Sequence, residues 1–254
     1  MQYLTSYYSL LAPLGLSPPV VTELIQYLDW QYGLKPKTVE LILTKDKRVQ
    51  EGAKLVEVAV KDRYPKAKVV SLTLDYEDIV DESVAFDFMR VAASEIANLE
   101  KPIYLLISGG RKNVSVEVAL IGQVLAVSGI YHVVMPDVKV VNIELERLRP
   151  KIEELASSDN PLNYYRGSEE LQNLMYPPLT YSVMRIPMLP LPYSVIRKVA
   201  RILSEGGSKS ELEGLGEDYI AVLRFSGLIQ VSGGKIIPTD LGKAIGRAMR
   251  EAME

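Results

Sequence analysis

Two short segments concentrate the residue types that handle anions. Gly15-Leu16-Ser17-Pro18-Pro19 leaves one apolar run and enters a helical pattern, and Ser108-Gly109-Gly110-Arg111-Lys112-Asn113 does the same after another. In the first segment Ser17 is expected at the helix N-cap, with proline at the first helical position. The amide N–H groups at that helix mouth then favour negative charge. Two roles stay open for Ser17, an ordinary cap and a hydrogen-bonding group for a bound anion. In the second segment Gly109 and Gly110 allow backbone to approach a ligand closely. Arg111 and Lys112 oppose the helix dipole there unless an anion is bound. The alternative is a surface turn with solvated charges. Neither G-x-G-x-x-G nor G-x-x-x-x-G-K-[ST] occurs, so a phosphate-bearing ligand would be held by neither a dinucleotide fingerprint nor a P-loop.

Composition closes other routes. The 254 residues include no cysteine and one histidine, so cysteine zinc sites, His-His metal pairs and disulfides are not expected. A Ser-His-Asp triad would rest on His132 alone, and His132 falls inside a strand candidate, where it reads as a packed or hydrogen-bonded core residue. The carboxylates Asp75, Glu77, Asp78, Asp81 and Glu82 read as loop solvation and helix capping, a cation site being the minor alternative. No cofactor and no metal is expected. Fifteen tyrosines against three phenylalanines and one tryptophan bring many phenol hydroxyls within reach of ribose, phosphate or backbone groups. With 29 Lys+Arg against 32 Asp+Glu and a net charge of -3, bulk attraction to duplex nucleic acid is not expected. No apolar stretch reaches the roughly 18 residues of a membrane helix. The chain reads as a soluble, cytoplasmic protein with no membrane partner.

Elements that position the two segments follow from the hydrophobic pattern. Strand candidates at Tyr8–Leu14, Val39–Thr44, Val69–Leu74, Ile103–Ile107 and Tyr131–Met135 are aliphatic without polar alternation, as in parallel sheets buried on both faces. Amphipathic stretches at Val20–Trp30, Asp46–Arg63, Asp81–Leu99, Val114–Val127 and Ile143–Ala156 alternate with them, which is an α/β signature. Residues 1–150 are therefore read as a Rossmann-like parallel-sheet domain. Residues 151–192 are read as an ordered connector, punctuated by Pro161, Pro177, Pro178, Pro187, Pro190 and Pro192, with Tyr164, Tyr165, Tyr176 and Tyr181 interspersed. Residues 193–254 are read as a small winged helix-turn-helix domain, with a hairpin over Leu228–Ile237 turned at Ser232-Gly233-Gly234 and a last helix capped by Thr239.

With these elements in place, Gly15-Leu16-Ser17-Pro18-Pro19-Val20-Val21-Thr22-Glu23 and Ser108-Gly109-Gly110-Arg111-Lys112-Asn113-Val114-Ser115 resemble the two ligand motifs of CRISPR-associated Rossmann fold (CARF) domains. Met175-Tyr176-Pro177-Pro178 and Arg185-Ile186-Pro187 are similar to later elements of that group. The resemblance implies a homodimer that binds a cyclic oligoadenylate, here cyclic tetra-adenylate, across its two-fold axis. It also implies that connector tyrosines cover adenines by stacking. Gly15, Leu16, Pro18, Ser108, Gly109, Gly110, Arg111 and Asn113 would bind the ligand. Two functions follow from the resemblance. A ring nuclease would use the ribose 2′-OH as nucleophile, with Ser17 positioning the ribose-phosphate and Lys112 neutralising developing charge. The family's ring nucleases also carry a late lysine, for which Lys151 and Arg166 are the candidates. A transcription regulator would instead bind DNA through the winged helix. Residues Tyr193–Glu254 hold nine Lys+Arg and eight acids, with Glu211, Glu213, Glu217 and Asp218 facing Arg224 alone around the turn and recognition helix, so DNA binding is disfavoured. The RNase of CARF effectors pairs an arginine with a histidine several residues later, and no arginine precedes His132 at that spacing.

Overall fold

The computed structural model describes residues 6–135, 138–188, 192–215, 217–251 and 253. It holds two compact units, one of residues up to 79 with 99–119 and 127–188, the other of residues 80–98, 120–126 and 189–254. Strands and helices alternate as β1 (Tyr7–Pro13), α1 (Pro19–Tyr32), β2 (Lys35–Leu43), α2 (Lys47–Arg63), β3 (Lys68–Thr73), α3 (Glu82–Asn98), β4 (Ile103–Leu106), α4 (Lys112–Val124), β5 (Gly129–Val134) and α5 (Val138–Ser157). Two short helices, α6 (Pro161–Arg166) and α7 (Glu169–Met175), and a strand, β6 (Ser182–Ile186), complete the first unit. Among the described residues no helix is long and apolar enough to cross a membrane.

All six strands form one sheet in the order β3-β2-β1-β4-β5-β6. The first five in sequence run parallel, and β6 is antiparallel to β5. This is the expected Rossmann-like arrangement, and its strand order reverses between β1 and β4. Burial explains the patterns: every residue of β4 and all but the first of β1 are buried, whereas edge strand β3 is only partly covered. Leu10, Leu24, Leu41, Val56, Leu148 and Ile152 belong to the core of this unit. Helix ends are set locally. Asp46 caps α2 through the Arg48 amide at 2.8 Å, and Gly33, in the left-handed region at φ 67°, closes α1.

The connector is more regular than its prolines suggest. Pro161 opens α6 behind an Asn160 cap, and Ser168 caps α7. The divisions read from the sequence at 150 and 192 fall inside α5, which carries Pro150 in its interior, and at the start of the last segment. Residues 151–188 lie in the unit of the sheet. Pro190 lies outside the described residues.

Within the second unit, α3 is capped by Asp81, whose carboxylate accepts from the Val84 amide at 3.0 Å. The C-terminal part runs α8 (Tyr193–Glu205), β7 (Gly207–Ser208), a 3-10 turn (Lys209–Leu215), α9 (Glu217–Phe225), β8 (Ile229–Ser232), β9 (Lys235–Pro238) and α10 (Asp240–Glu251). The three strands pair in the order β7-β9-β8. Gly233 and Gly234 both have positive φ, the requirement of a two-residue hairpin turn. Thr239 caps α10, its hydroxyl accepting from the Gly242 amide at 3.0 Å. Helix, turn, helix, hairpin and helix in this order fit a winged domain. Of the four acids on which the disfavouring of DNA rests, Glu211 pairs with Arg201, and the side chains of Glu213, Glu217 and Asp218 lie outside the described residues.

Candidate functional site

The loops after β1 and β4 leave adjacent central strands at the carboxyl edge of the sheet, the place where open α/β sheets bind ligands. They touch backbone to backbone. A Cβ built on Gly109 would lie 2.0 Å from the Pro13 carbonyl oxygen, and one on Gly15 would lie 2.6 Å from the Gly110 amide nitrogen. Gly109 is thus required by the neighbouring loop, and Gly110 by its φ of 77°. Close approach to a ligand, the reason inferred from sequence, is not what makes Gly109 obligatory.

A cleft of about 390 Å³ opens beside this contact. Gly15, Leu16 and Ser17 from the first loop and Ser108, Gly109 and Gly110 from the second line it. Its other wall is α5, through Asn142, Leu145, Glu146 and Arg149. Of the residues expected at the site, Pro18 is buried against α2, near Gly52, and does not line the cleft. Arg111, Lys112 and Asn113 are exposed at the start of α4, outside the lining.

Ser17 is not the cap of α1. The N-cap position belongs to Pro18, which offers no side chain to bond, because both prolines of the pair enter the helical turn. Among the described residues no group occupies the half-buried Ser17 hydroxyl, so it is free to meet a ligand. Ser108 is held instead. Its hydroxyl accepts from the Val133 amide at 2.6 Å and lies 3.1 Å from His132 Nδ1. The single histidine is therefore half-buried and hydrogen-bonded, as its position in a strand implied, and its partner lines the cleft.

The two cations of the second loop differ. Arg111 donates from Nε to Asp78 Oδ1 at 2.6 Å and from Nη2 to Oδ2. This fork holds the Asp78 carboxyl below its ordinary range. One residue of the acidic run thus neutralises Arg111, while Lys112 makes no ion pair among the described residues. The late basic candidates are also engaged, Lys151 with Glu170 and Arg166 with Asp62 at 2.6 Å. Neither lines the cleft.

Connector tyrosines do not stack over the cleft. Tyr165 is buried in the core. Tyr176 donates to the Ala59 carbonyl at 3.1 Å, Tyr181 to the Glu23 carbonyl at 2.9 Å, and Tyr164 to Glu154 at 2.6 Å. The hydroxyls of Tyr164, Tyr176 and Tyr181 satisfy the protein itself, a role phenylalanine could not fill at these positions.

Two carboxyls are displaced upward by burial. Glu23, on α1 behind the first loop, is fully buried, and neither of its oxygens has a hydrogen-bond partner. Burial pushes its carboxyl up to about 7, and Glu117 on α4 is likewise pushed up to about 7.

The chain is similar to proteins of CRISPR systems. The family described as CRISPR-associated protein NE0113 (Cas_NE0113) matches residues 17–214. The CRISPR system ring nuclease SSO2081 of Saccharolobus solfataricus is 29% identical over 150 residues, which cover 58% of this chain and 79% of that protein. A solved structure, Enterococcus italicus Csm6 bound to cyclic hexa-2'-fluoro-hexa-dAMP, is similar at 15% identity and a TM-score of 0.48. That match covers 87% of this chain and 49% of Csm6, so the chain spans about half the length of that relative.

Proposed function

Because the chain belongs to the NE0113 family of CRISPR-associated proteins, we propose that it binds a cyclic oligoadenylate in the cleft between the β1 and β4 loops and cleaves it as a ring nuclease. The observation that carries this reading is the pairing, at the strand-order reversal, of an unoccupied Ser17 hydroxyl with the Gly109–Gly110 backbone. The similarity to a named ring nuclease supports the reaction type. Cyclic tetra-adenylate is the proposed ring. Its four phosphodiesters need more contacts than one cleft provides, and a two-fold homodimer supplies each loop twice.

The reaction requires neither a cysteine nor a second histidine. A ribose 2′-oxygen attacks the adjacent phosphorus, the 5′-oxygen leaves and takes up a proton, and the 2′-hydroxyl proton passes to solvent. The product is linear and ends in a 2′,3′-cyclic phosphate. Ser17 hydrogen-bonds the ribose-phosphate and holds the attacking oxygen in line. The loop amides stabilise the charge that builds on the phosphorane oxygens, and Lys112, which follows Gly110-Arg111 outside the lining and makes no ion pair among the described residues, reaches it from the rim. This route is proposed to be metal-independent. The winged domain is proposed to serve structure or dimerisation, and the reading as a DNA-binding regulator falls to second place.

Labelled cyclic tetra-adenylate incubated with the protein in excess chelator is expected to give linear tetra-adenylate after one cut and, after a second at the other copy of the cleft, linear di-adenylate, each ending in a cyclic phosphate. Ser17→Ala is expected to slow turnover about tenfold with little change in affinity. Lys112→Ala should lower both turnover and affinity, each by about tenfold. An intact, tightly bound ring would make the protein a sensor. Salt-sensitive duplex binding strengthened by the ring would restore the regulator reading.

A further inference from the structure

We propose that Arg149 is the buried anion ligand of the cleft, restrained by Glu146 until a ligand phosphate takes the place of that carboxylate. This rests on the reading of the cleft as a phosphodiester site. The Arg149 side chain is only 15% exposed, whereas that of Glu146, its ion-pair partner at 3.3 Å, is 66% exposed. That contact occupies Nη2 alone. Nε and Nη1 are buried with no acceptor among the described residues. A guanidinium withdrawn from water with two donor groups unfilled is costly unless something supplies acceptors.

Neighbouring cations are not left in this state. Arg147 pairs with Glu144 and Glu170, Lys151 with Glu170, and Arg166 with Asp62. Arg149 is the cleft-lining member of this group. Its fork of donors matches two oxygens of a phosphodiester, which a point charge would not. The turn that bears it is loosely tied, because Pro150 has no N–H to close the helical bond on the Glu146 carbonyl. A diester in the cleft would meet Ser17 and the loop backbone on one wall and Arg149 on the other.

The test uses wild-type protein, Arg149→Gln, Arg149→Lys, Glu146→Gln and the Glu146→Gln/Arg149→Gln double variant. Two probes are titrated: fluorescent cyclic tetra-adenylate, read as affinity, and inorganic phosphate, read as a saturable rise in Tm. Arg149→Gln should weaken ring affinity about 30-fold and abolish the phosphate-dependent rise. Arg149→Lys should recover only part of each. Glu146→Gln should tighten both several-fold, and the double variant should behave as Arg149→Gln. A purely structural role would lower the Tm of Arg149→Gln while leaving affinity unchanged, and would overturn the proposal. Weaker binding by Glu146→Gln would also overturn it. If Arg149→Gln does not fold, Arg149→Lys and Glu146→Gln decide the matter with the same probes. A phosphate response that depends on Arg149, in a protein that ignores the ring, would sink the messenger reading and keep this one. A ring bound equally well by wild type and Arg149→Gln would do the reverse.

Discussion

Gly109→Ala is expected to lower stability by about 3 kcal/mol or more and to disrupt the cleft with it. The added methyl would stand 2.0 Å from the Pro13 carbonyl oxygen, far inside van der Waals contact. Neither side of that contact is a flexible side chain. Pro13 ends β1, whose residues pair with β2 on one side and β4 on the other, so relief requires the loops to move apart. Such forced backbone shifts lie at the costly end of small-to-large changes. For a chain of this size the loss should appear as a fall in Tm of roughly 6 to 12 °C. Gly227→Ala is the control. Gly227 has positive φ, which Gly109 does not, but nothing lies within 4 Å of its would-be Cβ, so it should cost only about 1 kcal/mol of backbone strain. Equal melting temperatures for Gly109→Ala and wild type would show that the loops do not touch as described.

Glu23→Gln is expected to stabilise the protein by about 2 to 3 kcal/mol at pH 8 and to change little at pH 4. Burial lifts this carboxyl from 4.5 to about 7, so between those values the folded chain holds a proton that the unfolded chain releases. Stability from this group is therefore complete below about pH 4.5, declines as pH rises to about 7, and is level beyond. A displacement of that size corresponds to about 3 kcal/mol. The amide keeps the shape and removes the titration, which makes the variant's stability flatter in pH. Glu117, which burial also pushes up to about 7, contributes a slope of the same sign in both proteins. Urea unfolding of both proteins at pH 4, 6 and 8 measures the difference. A variant no more stable than wild type at pH 8 would mean that Glu23 is solvated or paired after all.

Much of this architecture was legible from periodicity. The strands from β1 to β5 were recognisable because parallel strands buried on both faces read as unbroken aliphatic runs. Their ends drifted by a few residues, as with β2, which begins at Lys35 on a Lys-Pro-Lys start that looks like a loop. β6 was hidden because an edge strand with three exposed and two partly covered residues has no such run. In the candidate cleft, Ser17, Ser108 and the glycines stand out in the sequence because each loop is contiguous. The α5 wall was not, since Asn142, Glu146 and Arg149 lie far from either loop and carry no motif. The late cation that the resemblance implies was expected at Lys151 or Arg166; Lys151 lies two residues beyond Arg149, and residues so spaced on a helix point in nearly opposite directions. Ser17 was mistaken for a cap because the rule that favours serine there does not foresee a proline pair entering the first turn.

The contact of Gly15 with Gly110 and of Gly109 with Pro13 also bears on how this chain can change over generations. Each loop is part of the mould in which the other is cast, so a new residue in one has to be matched by a change in its neighbour. The two strand ends should therefore covary across relatives. A chimera that imports one of them alone should fold worse than a chimera that imports both. Substitutions on α5, a separate helix, can accumulate one at a time, which makes that helix the easier route by which lineages could alter what the cleft prefers.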